Sequence, residues 1–124
     1  MSEKPLAKNR LPPMLESEWM HQVIDLVELL GYEWAHFRPA QTSKGWRTPV
    51  SGPLGKGFPD LVLLRDRDQR FLVIELKSEA GRLTDEQLHV LASFRASNVQ
   101  ALVSRPGDLE NLAAALSLPA TATA

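Results

Sequence analysis

The sequence predicts one α/β domain, a mixed β-sheet flanked by helices, with its elements in the order α-β-β-β-α-β-α. Three observations predict it. Apolar residues at three- and four-residue spacing after Ser17, and capping signals ahead of two later stretches, mark three helices. Short apolar and aromatic runs between turn-forming clusters mark four strands. The 124 residues, 44% of them hydrophobic, can fill one sizeable core and are too few for two.

Each element has its own warrant. Residues 1–13 carry two lysines, an arginine and three prolines, and read as a flexible arm. From Ser17, the residues Trp19, Val23, Leu26 or Val27 and Leu30 fall on one helical face, with Ser17 as the expected cap and Gly31 as the stop. "YEWAHFR" (32–38) alternates and is aromatic, which predicts a strand, and Trp19 and Trp34 both read as core. Residues 39–57 are rich in Gly, Pro, Ser and Thr and read as a long loop, a kind more often functional or mobile than inert. Strands are expected at about 58–65 and 70–77, with "DRDQ" as the hairpin turn between them. Thr84 and Gln87 have capping-box spacing at the head of the next helix. "VQALVSR" (99–105) is a further strand, Asp108 can cap a short closing helix, and residues 119–124 read as a frayed tail after a single domain at 14–118.

Composition excludes several classes of function. No apolar run approaches the roughly 20 residues that a membrane helix needs. The polar N-terminus lacks the apolar core of a secretion signal, and the chain has no cysteine, so disulfides and thiolate metal sites are excluded and a cytoplasmic protein is expected. A formal net charge of −1 gives no overall pull toward nucleic acid, so any such binding must come from a local basic patch.

The two central strands hold an anomaly. Asp60 interrupts the first apolar run, Glu75 the second, and Lys77 follows two residues later. Charges are costly in a buried strand unless something compensates them. If residues 66–69 form a four-residue hairpin loop, Arg65 pairs with Arg70 and Asp60 falls directly opposite Glu75, with Lys77 on the same face. Opposed carboxylates repel, and hard oxygen ligands at that separation suit Mg²⁺ or Mn²⁺. A buried salt bridge to Lys77 is the competing reading. Glu18 or Glu16, at the start of the first helix, is a possible third acidic ligand, although acidic residues there also serve the helix dipole.

"GFPDLVLL" followed by "IELKSEAGRLTDEQ" resembles the VRR-NUC branch of the PD-(D/E)XK nuclease superfamily. The helix "SEWMHQVIDLVELLGY", the "HFR" strand and the closing "RPGDLENL" also resemble the family, in the same order, from about Ser17 to Leu116. The resemblance implies the restriction-endonuclease-like fold and a Mg²⁺- or Mn²⁺-dependent DNA endonuclease. It implies that Asp60, Glu75 and the carbonyl of Leu76 ligate metal, that Lys77 is the active-site lysine, that Glu18 is the helix carboxylate, and that Gln87 lies near the reaction centre. Stand-alone members resemble junction- or flap-cleaving enzymes, which implies branched DNA as substrate. Cutting both strands symmetrically calls for two sites and so for a homodimer.

Other residues have two readings each. His36 stands on a strand beside the expected site, as an active-site group or a core histidine, and His89 reads as a surface residue. Lys44, Arg47 and Lys56 share the long loop with glycines and form a plausible phosphate-contacting set, with Arg82 and the arm's Lys4, Lys8 and Arg10 as lesser candidates. A non-catalytic DNA-binding module on the same fold and a plain α/β interaction domain are the rival functions.

Overall fold

The computed structural model describes residues 14–37, 40–43, 45–47 and 50–119. The expected arm, and the tail beyond residue 119, lie outside them. Helix α1 (Glu16–Leu29) is followed by strand β1 (Glu33–His36), a small hairpin of β2 (Ala40–Thr42) and β3 (Gly45–Arg47), and then β4 (Leu61–Arg65) and β5 (Arg70–Leu76). Helix α2 (Asp85–Ala96), strand β6 (Gln100–Ser104) and helix α3 (Leu109–Ser117) complete the chain. The main sheet has the order β1-β4-β5-β6, antiparallel except for the β5–β6 pair. That parallel pair needs a crossover, and α2 supplies it. The fold is the predicted α/β order with one addition. The stretch expected to be loop contains the β2–β3 hairpin, whose three-residue strands are too short to leave a periodic signal.

The sheet's two faces divide the core. Leu61, Leu63, Leu72, Ile74 and Leu76 point to one face, where Trp19, Val23 and Val27 of α1 and Leu112 and Leu116 of α3 cover them. Val73 and Ala101 point to the other and pack under Leu91 of α2. Period-2 alternation along β4 and β5 produces this division, and it leaves Asp60 and Glu75 on the α2 side. Trp34 departs from its expected core position. Its strand is the sheet's edge, so the residue is 38% exposed and its Nε1 donates to Glu28 Oε2 at 3.0 Å. No helix among the described residues is long and apolar enough to cross a membrane.

Helix ends follow local chemistry. Gly31, at φ +88°, closes α1: its N–H donates to Glu28 O and that of Tyr32 to Val27 O, the paired bonds of a Schellman stop. At the other end α1 begins one residue before the expected cap, Ser17. Leu15 holds the cap position with no side-chain cap bond, and its own N–H donates to Glu18 Oε1 at 2.9 Å, the reciprocal half of a capping box.

Candidate active site

The β4–β5 turn sets the site's geometry. Asp66–Asp68 form a single 3-10 turn and Gln69 takes a left-handed conformation at φ 54°, which returns the chain with Arg65 opposite Arg70 and Leu61 opposite Ile74. One further step along the same ladder places Asp60 opposite Glu75. Asp60 lies just past the end of β4, where its Oδ2 accepts the N–H of Leu76 at 2.7 Å. Glu75 is 2% exposed, and its carboxyl group lies within hydrogen-bonding reach of that of Asp60.

Compensation at this pair is incomplete. Glu75 Oε2 accepts from Gln87 Nε2 at 3.0 Å and faces Lys77 Nζ at 3.7 Å. Glu75 Oε1 is buried with no donor. Burial raises the pKa of both carboxyls. For Glu75 burial is the largest cause and the adjacent Asp60 charge the next, and together they push it to about 8 despite Lys77. The physical reason is that two carboxylates cannot both ionise cheaply at this distance in a dry site. The metal-free pair therefore holds a proton near neutral pH.

An undonated buried carboxylate oxygen beside a second carboxyl fits a hard divalent cation. Mg²⁺ commonly binds through one or two carboxylates and completes its shell with water and substrate phosphate. Two are present. No group of three or more acidic or histidine side chains is gathered for a metal among the described residues.

Two α1 carboxylates behave differently. Glu18 is turned back to cap its own helix through Leu15. The charge of Glu16 acts on both Asp60 and Glu75 and raises the pKa of each. The earlier helix start puts Glu18 in the position that reaches the cap amide. Gln87 has two roles at once: Oε1 accepts from Thr84 N at 2.9 Å while Nε2 holds Glu75. The expected capping box and the expected site residue are one side chain.

The remaining candidates are spread out. His36 pairs with Leu61 and so lies on the α1 face of the sheet, opposite to Asp60 and Glu75. Lys56 is exposed and sits 3.6 Å from Glu86 in the first turn of α2, and Arg82 is exposed beyond β5. Lys44 lies outside the described residues, and Arg47 is placed only as the last residue of β3. His89 is exposed on α2.

Two contributors were missed in the sequence. A Cβ at Gly57 would stand 2.3 Å from Glu86 O and 2.8 Å from Gln87 N, so the glycine lets the 55–57 turn dock on the backbone that carries Gln87. The "GKGFPD" string held that signal, a glycine ahead of a functional strand. Arg105, which follows β6, bonds the turn that follows Lys77, and only the parallel pairing of β5 with β6 makes the two neighbours.

Comparison with known protein families matches the VRR-NUC domain over residues 18–106. The chain belongs to the VRR-NUC domain family. That family is a nuclease domain family of the restriction-endonuclease-like superfamily, and the four-stranded mixed sheet flanked by helices is consistent with it. No curated protein and no solved structure matches the chain. The match begins in the first turn of α1 and ends just after Arg105, so it contains Asp60, Glu75, Lys77 and Gln87.

Proposed function

We propose that this VRR-NUC domain is a DNA endonuclease that hydrolyses phosphodiester bonds at the Asp60–Glu75 pair with Mg²⁺ or Mn²⁺, and that it selects branched substrates such as junctions or flaps. The observation that carries the reading is the undonated, buried Oε1 of Glu75 facing a second carboxyl across the hairpin. An ionised pair without metal would leave that oxygen unmatched at a cost in stability, whereas a cation there would satisfy it.

Asp60 and Glu75 would hold the cation, with the Leu76 carbonyl as a further oxygen implied by the family. Bound there, the metal would neutralise the scissile phosphate and lower the pKa of a water. The chain's own groups do the rest. Leu76 N–H fixes the Asp60 carboxyl by holding Oδ2. Gln87 Nε2 and Lys77 Nζ converge on Glu75 Oε2 and leave its other, buried oxygen without a donor. The Lys77 ammonium, on a side chain 13% exposed, would stabilise charge on the phosphate as the bond breaks. Glu16 is the α1 carboxylate that adds negative potential for a cation, and Glu18 serves the helix cap. Lys44, Arg47, Lys56 and Arg82 are assigned to phosphate contacts that orient the DNA without reading sequence. A homodimer would present two such sites, one to each strand, with residues 14–118 as the catalytic unit.

Labelled junction, flap and linear duplex DNA, incubated with and without Mg²⁺ or Mn²⁺, test the reading. Metal-dependent cleavage of branched DNA is expected, and Asp60→Asn should remove it while leaving binding intact. If neither metal supports cleavage of any of the three, the enzymatic reading fails. Binding without cleavage would point to the non-catalytic module, and uniform cleavage of all three would remove the selectivity.

A further inference from the structure

Arg105 is the first residue after β6, and β6 runs parallel to β5 with Ser104 opposite Leu76. The bond from Lys77 N to Ser104 O, 3.0 Å, continues that pairing by one residue. Arg105 is thereby brought beside the segment that leaves β5. Its Nη1 donates to Gly81 O at 2.6 Å and to Ser78 O at 2.7 Å, with Glu79 O at 3.3 Å. These are the carbonyls of one turn, closed by Gly81 N–H donating to Ser78 O at 3.2 Å.

The turn stands between the two parts of the site. Gly81 lies along the stem of Lys77, since a Cβ there would be 3.4 Å from Lys77 Cδ. Three residues later Thr84 caps α2, and Gln87 of the same cap holds Glu75. The turn is closed in from its other side too: a Cβ at Gly107 would fall 2.8 Å from Glu79 Oε2, so the segment after Arg105 lies against the Glu79 carboxylate. The two shortest bonds of the guanidinium run inward to carbonyls, which sets Arg105 apart from the exposed Arg82.

We propose that Arg105 is a positioning residue: by holding the 78–81 turn it fixes the Lys77 side chain and the start of α2 relative to Glu75. The catalytic consequence rests on the nuclease reading, whereas the clamp itself does not. A charged donor shared among carbonyls is stronger than a neutral one, and small displacements of catalytic groups have large effects on rate. A phosphate contact is the rival role for an arginine at this end of the sheet, and the two roles differ in what they change.

The test uses the full chain as wild type, Arg105→Ala and Arg105→Lys. Amide hydrogen exchange is read at Gly81, Gln87 and Leu88, whose N–H groups donate to Ser78 O, Thr84 Oγ1 and Thr84 O. Arg105→Ala should speed exchange there about tenfold or more, with β4 and β5 amides unchanged. Per folded molecule, kcat on cleavable DNA should fall by about 30- to 100-fold with KM within about twofold, and Arg105→Lys should recover part of the loss. Unchanged exchange at the three amides in both variants overturns the clamp. Weaker DNA binding with a salt slope reduced by about one, and kcat intact, overturns it in favour of a phosphate contact. If wild type cuts no DNA, the nuclease reading falls and the exchange data still decide whether Arg105 holds the turn.

Discussion

The two ends of the β4–β5 hairpin both bury charge, and they treat it in opposite ways. At the turn end, Arg65 is 2% exposed and fully engaged. Its Nε and Nη2 grip Asp68 at 2.9 Å each, the carbonyls of Leu30, Leu116 and Leu118 take further bonds, and the Tyr32 ring stacks 4.5 Å from the guanidinium carbon. Arg70 beside it donates to Leu118 O and to Gln100 Oε1. These arginines tie the ends of α1 and α3 to the sheet. At the open end Asp60 and Glu75 repel each other, Lys77 offsets only part of their charge, and Glu75 Oε1 has no donor. A satisfied cluster makes structure, and the half-satisfied one is where the proposed function puts the cation. Both come from charges in apolar strands, so a buried charge alone does not mark a site.

Four substitutions break or sharpen that contrast. The largest effect is expected from Asp60→Asn, which keeps an acceptor for Leu76 N–H and removes the charge. Cleavage should fall by about 10⁴-fold or more, measured as kcat/KM, with the unfolding midpoint unchanged or raised. Arg65→Ala should do the reverse. Loss of the bidentate pair and of three carbonyl bonds should cost about 3 kcal/mol in denaturant unfolding, with residual activity proportional to the folded fraction.

Next comes Gly57→Ala. The open end is made rigid by close backbone packing, and a methyl group cannot fit 2.3 Å from Glu86 O without moving α2. A loss of about 2 kcal/mol is expected, together with lower cleavage per folded molecule, because Gln87 moves with its helix.

The smallest effect is a change in pH dependence. A carboxyl whose folded-state pKa lies above its unfolded value favours the fold only while protonated. For Glu75 that contribution is whole below about 4.5 and is lost as pH rises through about 8. Without metal, the melting temperature should therefore decline across this interval. Glu75→Gln should flatten the decline and stabilise the metal-free protein at pH 8.5 by on the order of 1 kcal/mol. Added Mg²⁺ or Mn²⁺ should restore stability to wild type and release a proton on binding, since the cation displaces the one the pair holds. No metal-induced stabilisation at any pH would count against a cation at this pair.

Local chemistry made much of this legible in advance. The hairpin register followed from a four-residue turn, because side-chain period 2 and the turn length leave no freedom in the pairing. The Thr84–Gln87 cap and the Gly31 stop were readable because capping uses residues three or four apart. The β2–β3 hairpin and the exposure of Trp34 were not readable, since neither a three-residue strand nor an edge position leaves a pattern in the chain.

The sequence by itself determined the α/β order and, through the length of one hairpin turn, the face-to-face placement of Asp60 and Glu75, and its motifs carried the resemblance that identified the family. Tertiary structure alone decided that Gln87 reaches Glu75 while capping its own helix and that Arg105 grips the turn after Lys77. It also decided which buried charges are satisfied. Most of these contacts join residues far apart in the chain, such as Arg65 and Leu118 or Arg105 and Ser78. Such neighbours are fixed by how helices and strands pack, and no local pattern in the chain encodes that distance.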